Sequence, residues 1–147
     1  MKWEKAAWLV EQFEKGTLPK EEWTHTAHFV VAFWYCTQYP LPQAIKKITT
    51  GIKAYNVASG GQNTDESGYH ETITLLYITI ISGYLVREKV PALTDETLAV
   101  FLQQPFLAKD FIYQFYSAPL LKSKQARQCW VAPDKNNSVS LFQVYHV

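Results

Sequence analysis

Three of the four histidines in this chain lie where long apolar segments begin. His25 and His28 open the stretch THTAHFVVAFWY, and His70 opens the stretch GYHETITLLYITIISGYLV. Imidazole readily gains or loses a proton near neutral pH, and it is a common metal ligand. We therefore take these three histidines as the candidate functional residues. The fourth, His146, is not at the start of an apolar segment.

The spacing of the first pair predicts that both imidazoles share one face of a helix. At about 100° per residue, a helix running through Glu21 places that carboxylate in one stripe with His25 and His28, and the small Ala32 leaves space above them. Histidines three apart can ligate one metal ion, with Glu21 as a further ligand or as an acceptor for an imidazole N–H. If Thr24 instead caps a separate helix, Glu21 leaves the stripe and only the histidine pair remains.

His70 is expected in the first turn of a long helix capped by Ser67. The positive end of a helix disfavours an imidazolium, so a neutral ring able to bind a metal is predicted there. Thr74 and Tyr77 follow on the same face, four and seven residues later. Glu71 points about 100° away, where it either reaches the same cavity from the side or complements the helix dipole.

Three functional hypotheses follow from these residues. In the first, the protein is a metal-dependent enzyme, such as a hydrolase, in which the three histidines hold zinc or iron and activate a water, with Glu71 or Glu21 as base. In the second, the protein is a metal-free small-molecule binding or regulatory module that uses the same histidine pocket. The predicted substrate-binding residues are Thr74, Tyr77 and Arg127. In the third, the histidines are purely structural.

Arg127 itself has two interpretations. Its guanidinium could hold an anionic ligand. Alternatively, it could pair with Asp134 and so hold down the C-terminal segment, and this second interpretation is the one we favour from the sequence.

The composition narrows the class of partner. The chain has 147 residues, 48% of them hydrophobic and 18% charged, with a net charge of +1. A balance of this kind gives no electrostatic reason to expect nucleic acid or an anionic membrane as partner. The run ITLLYITIISGYLV is too short and too often interrupted for a membrane span, and the first residues lack the apolar region of a signal peptide. We expect a cytoplasmic protein, and nothing marks a face for oligomerisation.

The pattern of apolar residues predicts an all-α fold, a single-domain bundle of five to seven helices over residues 1–147 with a short irregular C-terminal segment. The segment 69–88 is apolar on most sides, which predicts a central, buried helix. Thr94 is expected to cap the helix after it without a full capping box, because Thr97 takes the place of Glu or Gln. The predicted helices are 2–15, 19–38, 43–55, 69–88, 95–104, 106–116 and 122–130, and 139–147 is predicted to be a short strand or extended tail.

Three stretches together resemble a known family. LPKEEWTHTAHFVVAFWY, SGYHETIT and AR..WV.PD lie between Leu18 and Asp134, and they are similar to motifs of a family of small, uncharacterised bacterial all-helical proteins. The resemblance implies one helical domain and draws attention to His25, His28, His70, Glu71 and Arg127. It implies no reaction, because no activity is attached to that family.

Overall fold

The fold of this chain is all-α, as the sequence predicts. The computed structural model describes residues 1–136, and within them it has seven α-helices and no strand. The predicted strand or tail at 139–147 lies outside the described residues. The helices are α1 (Trp3–Lys15), α2 (His25–Gln38), α3 (Leu41–Ala58), α4 (Glu71–Arg87), α5 (Asp95–Phe101), α6 (Ala118–Leu121) and α7 (Lys124–Gln128), with 3₁₀ turns at Lys20–Glu22, Pro105–Leu107 and Phe111–Gln114.

The boundary between α1 and α2 decides which residues share a face with the histidines. Gly16 ends α1 with a positive φ of 70°, a conformation that glycine adopts without the steric cost borne by other residues. A short 3₁₀ turn then precedes Thr24, whose hydroxyl oxygen accepts from the backbone N–H of Ala27 at 3.1 Å. Thr24 is therefore the cap of a separate helix, and Glu21 is not on α2.

Helices α2 and α4 form the centre of the bundle. α2 packs against α1, α3 and α4, and α4 packs in addition against α7. α4 buries residues on several sides, including Leu76, Ile78 and Ile81, which confirms the prediction of a central helix. The aromatic residues lie mostly in this core, where Phe33 stacks on Phe101 with ring centroids 4.2 Å apart. The two central helices and α3 enclose the space described below.

Several local predictions were wrong, each for an identifiable reason. The segment 106–116 is two 3₁₀ turns and not one α-helix. The predicted helix 122–130 is the shorter α7, preceded by the short helix α6, and Pro119 lies in the first turn of α6, where its missing N–H costs nothing. Thr94 does form a capping box, because the hydroxyl oxygen of Thr97 accepts from the Thr94 backbone N–H at 2.8 Å. The cap of α4 is His70 and not Ser67.

The length and apolar character of the described helices determine whether one of them could cross a bilayer. None of those within residues 1–136 is long and apolar enough to cross a membrane. Even α4, with 17 residues, is too short.

Candidate functional site

An apolar cavity with two histidines in its wall lies between α2, α3 and α4. Its volume is about 370 Å³. The polar groups in the wall come from α2 and from one turn of α4, and the rest of the wall is hydrocarbon. The lining residues are His25, His28, Phe29, Ala32, Ile48, Ile52, Ile73, Thr74, Tyr77, Ile78 and Ile81.

Helical spacing explains why these residues meet. Because Thr24 caps α2, His25 is its first residue and His28 follows one turn later, with Phe29 and Ala32 next on the same face. The small side chain of Ala32 leaves the space that the sequence predicts above the histidines. α3 completes the wall with isoleucines spaced four residues apart, and α4 contributes residues spaced three and four apart.

His25 is held by a segment distant in the sequence. Its Nε2 donates to the backbone carbonyl of Leu107 at 2.7 Å, and its ring meets Phe29 edge-on with centroids 5.0 Å apart. Leu107 lies at the end of the 3₁₀ turn Pro105–Leu107. This turn therefore fixes the orientation of an imidazole 82 residues earlier in the chain.

His28 is held by its own helix end and by a tryptophan. Its Nδ1 donates to the backbone carbonyl of Thr24 at 2.7 Å, and its ring stacks on Trp23 with centroids 3.7 Å apart. His28 as a whole residue is exposed to solvent, yet the protein around its ring partly desolvates the imidazole. This desolvation lowers the pKa of His28 below its ordinary value, the Thr24 hydrogen bond opposes the shift, and the neighbouring His25 adds to it. Neutral imidazole is favoured.

The partners of the two imidazoles fix which nitrogen carries the proton. A carbonyl oxygen only accepts hydrogen bonds, so Nε2 of His25 and Nδ1 of His28 are the protonated atoms of the neutral rings. Nδ1 of His25 and Nε2 of His28 are then acceptors, and neither has a hydrogen-bond partner within residues 1–136. Both histidines line the cavity, so each brings to it an imidazole with one unpaired acceptor nitrogen.

Thr74 and Tyr77, predicted as ligand contacts, do line the same cavity. The Thr74 hydroxyl donates to the backbone carbonyl of His70 at 2.7 Å, which leaves its oxygen lone pairs as acceptors. The Tyr77 ring meets Phe29 edge-on at 4.9 Å between centroids. Burial raises the pKa of Tyr77 to about 12, with Asp110 adding to the shift, so the phenol stays protonated.

His70 does not join the other two histidines. It caps α4, with Nδ1 accepting from the Ile73 backbone N–H at 3.2 Å and Nε2 donating to the Leu121 carbonyl at 2.7 Å. The ring is 8% exposed and does not line the cavity. Burial lowers the pKa of His70, so the ring is neutral as predicted. Both of its nitrogens are already engaged within the fold, which leaves no lone pair for a metal ion.

The acidic candidates and Arg127 also lie apart from the cavity lining. Glu71 accepts from the Tyr69 hydroxyl at 2.5 Å, and Glu21 is exposed in the 3₁₀ turn before α2. Arg127 donates to the backbone carbonyl of Gly68 at 2.9 Å. The Arg–Asp pair that we favoured does not form, because Asp134 accepts instead from the backbone N–H and hydroxyl of Ser117, at 2.8 and 2.6 Å.

A metal site needs several ligand side chains close together. Within residues 1–136, no group of three or more His, Cys, Asp or Glu side chains could hold a metal ion. The pair His25 and His28 is what remains of the predicted ligand set at the cavity. Two imidazoles with carbonyl-bound N–H groups resemble metal-ligating histidines, but a zinc site uses three or four protein ligands.

Sequence reasoning missed three contributions to the site. The Leu107 carbonyl gives no sequence signal, since any residue carries one. The isoleucines of α3 fit the apolar face of an amphipathic helix, and their spacing does not distinguish packing in the core from lining a cavity. Trp23, directly before the cap Thr24, offered a signal, because a residue preceding a helix cap often packs on the first turn.

Comparisons with known proteins do not assign this site. No protein-family model matches the chain, and no match was found among the curated proteins or the solved structures. The likeness to a family of bacterial helical proteins therefore stays a prediction.

Proposed function

We propose that this protein binds a small, mainly apolar molecule in the cavity between α2, α3 and α4, and that His25 and His28 hold its polar end. One observation carries the proposal: a mainly hydrocarbon wall contains two imidazoles whose orientations are fixed by backbone carbonyls. Ligand sites are typically apolar clefts of roughly 300–1,000 Å³ with a few placed polar groups. A cavity of about 370 Å³ fits this description.

Burial favours such a ligand on energetic grounds. Hydrocarbon transferred from water gains roughly 25 cal/mol per Å² of buried apolar surface, so an apolar body supplies most of the affinity. The histidines then select the orientation of the ligand, because a polar group elsewhere in the cavity would be buried without a partner.

Metal-dependent hydrolysis is supported less well and stays a prediction. It assigns Glu71 or Glu21 as base and His70 as third ligand, and none of these three side chains lines the cavity. Binding without a metal uses the residues that the cavity brings together, namely His25, His28, Thr74 and Tyr77.

The isoleucines offer a direct test of binding. Of the eight in the chain, Ile48, Ile52, Ile73, Ile78 and Ile81 line the cavity, whereas Ile45 and Ile80 do not. With ¹³C-methyl-labelled isoleucine, we expect added 2-naphthol to shift the five lining signals and to leave those of Ile45 and Ile80 in place. Equal shifts of both groups, or no shift, would count against the proposal.

A cavity-filling variant provides the matched test. Ala32→Leu places additional carbon atoms in the cavity and is expected to abolish the 2-naphthol shifts. Ala7→Leu adds the same atoms on α1, outside the cavity, and is expected to leave the 2-naphthol shifts unchanged. Thermal unfolding of both variants shows whether they are folded, and Ile52→Phe, which narrows the cavity from α3, serves if Ala32→Leu does not fold.

A further inference from the structure

We infer that the ligand of this cavity carries a hydroxyl or N–H group, which donates a hydrogen bond to the unpaired ring nitrogens of His25 and His28. The inference deepens the proposed function and rests on it. It concerns the chemistry of the ligand's polar end, whereas the proposed function requires only that an apolar molecule enters the cavity.

The two carbonyl partners determine what the histidines offer. The N–H of His25 is used by Leu107 and the N–H of His28 by Thr24, both at 2.7 Å. Each neutral ring therefore offers a lone pair and no proton. Thr74 is a further acceptor in the wall, because its hydroxyl donates its proton to the His70 carbonyl. Three polar side chains of the wall thus act as acceptors.

A polar end that only accepts hydrogen bonds does not fit beside the two histidines, whereas the protonated phenol of Tyr77 lies in the α4 part of the wall. An ether or ketone oxygen beside the histidines would bury acceptors against acceptors, and a buried polar group without a partner costs about 1–3 kcal/mol. A hydroxyl or N–H group instead donates to the imidazole and removes that cost. The two histidines therefore discriminate between ligands of the same size whose polar end donates a hydrogen bond and those whose polar end only accepts one.

An anion held by protonated imidazoles is disfavoured by the surroundings. No Asp, Glu, Lys or Arg lines the cavity within the described residues. His28 contacts the Trp23 ring and the Thr24 carbonyl, neither of which is charged. The titratable neighbour that shifts the pKa of His28 is His25. Desolvation lowers the pKa of His28, and a charge on His25 would lower it further, so two adjacent imidazolium ions are unfavourable.

Three probes of nearly equal size test the inference: 2-naphthol donates, 2-methoxynaphthalene only accepts, and 2-naphthoate is an anion. Their dissociation constants are measured near pH 8 from the isoleucine methyl shifts. We expect 2-naphthol to bind roughly five- to tenfold more tightly than its methyl ether, which is the usual effect of one hydrogen bond.

His28→Phe is the variant that isolates the nitrogen. A phenyl ring keeps the stack on Trp23, and the Thr24 carbonyl still accepts from the residue 28 backbone N–H at 3.1 Å. The preference for 2-naphthol over its ether is expected to shrink in this variant, because 2-naphthol loses an acceptor and the ether oxygen no longer lies against an imidazole lone pair. His25→Phe, the second variant, is expected to act in the same direction.

The outcomes separate the inference from the proposed function. If 2-naphthol and the ether shift the lining isoleucines with equal affinity, the inference fails and the proposed function stands. Tightest binding by 2-naphthoate would also overturn the inference, since it requires protonated imidazoles. If none of the probes shifts those signals, the proposed function fails and the inference fails with it.

Discussion

His28 lies face to face on Trp23, with ring centroids 3.7 Å apart. Trp23 in turn stacks on Phe13 of α1 at 5.0 Å and touches Tyr55 of α3 at 5.2 Å. The imidazole is thus the outermost ring of an aromatic stack that joins three helices. This arrangement holds His28 in place at the cavity and removes water from one face of its ring.

The first prediction concerns the protonation of His28. Trp23→Leu removes the ring that covers the imidazole, so the pKa of His28 is expected to rise toward its ordinary value of 6.5 because desolvation decreases. An NMR titration of the His28 ring signals measures this change. Trp8→Leu, which removes a tryptophan of α1 outside the stack, is the control and is expected to leave the titration unchanged. An unaltered pKa in Trp23→Leu would show that the stack does not cause the shift.

The second prediction compares the stability of two phenylalanine variants. His25→Phe leaves the Leu107 carbonyl without its hydrogen-bond donor, whereas His28→Phe leaves Thr24 with a backbone partner. We therefore expect His25→Phe to lower the free energy of unfolding by about 1 kcal/mol more than His28→Phe does. Urea denaturation of both variants measures the difference. Equal losses would mean that the Leu107 bond contributes little to stability.

The entrance to α2 shows how far the sequence predicts this site. The spacing of His25, His28 and Ala32 is enough to place them on one helical face, and they line one cavity. Whether Glu21 joins them depends on the cap at Thr24, and the sequence supports both alternatives. Threonine is a favoured cap residue but also occurs within helices, so only the packed structure decides.

The placement of His70 shows what the sequence does not contain. Its position near the start of α4 is predictable, but its partner Leu121 is 51 residues away and contributes only a backbone carbonyl. Likewise, 106–116 has the apolar residues of a helix, yet 3₁₀ turns form because tertiary contacts such as the His25–Leu107 bond outweigh local preference. Contacts of this kind depend on the whole fold.

The third prediction uses the dual role of His70. His70→Ala removes both the cap of α4 and the bond to Leu121, and it is expected to lower the free energy of unfolding by about 2 kcal/mol. His70→Asn keeps a capping side chain that is too short to reach Leu121, so its free energy of unfolding is expected to fall less than that of His70→Ala. Thermal or urea unfolding ranks the two. Equal losses would assign the whole effect to the bond with Leu121.

The pH dependence of unfolding is part of the same prediction. Burial lowers the pKa of His70 in the folded protein below 6.5, and Arg127 adds to the shift. Below pH 6.5 the unfolded chain then binds this proton more readily, so stability falls as the pH falls from 6.5 toward the folded-state pKa. His70→Asn is expected to flatten, without abolishing, the decline in stability below about pH 6.5, because the pKa of His28 is lowered too.

The last prediction concerns divalent metal ions. Zinc binds imidazole lone pairs, and His25 and His28 have unpaired ones, whereas both nitrogens of His70 are engaged within the fold. Added Zn²⁺ is therefore expected to broaden or shift the ring signals of His25 and His28 before those of His70. His28→Phe is expected to weaken that response, and His70→Asn to leave it unchanged. Elemental analysis of the untagged protein tests the alternative. Stoichiometric zinc or iron that is present in the native protein and lost in His70→Asn would contradict this prediction and support a metal site formed by all three histidines.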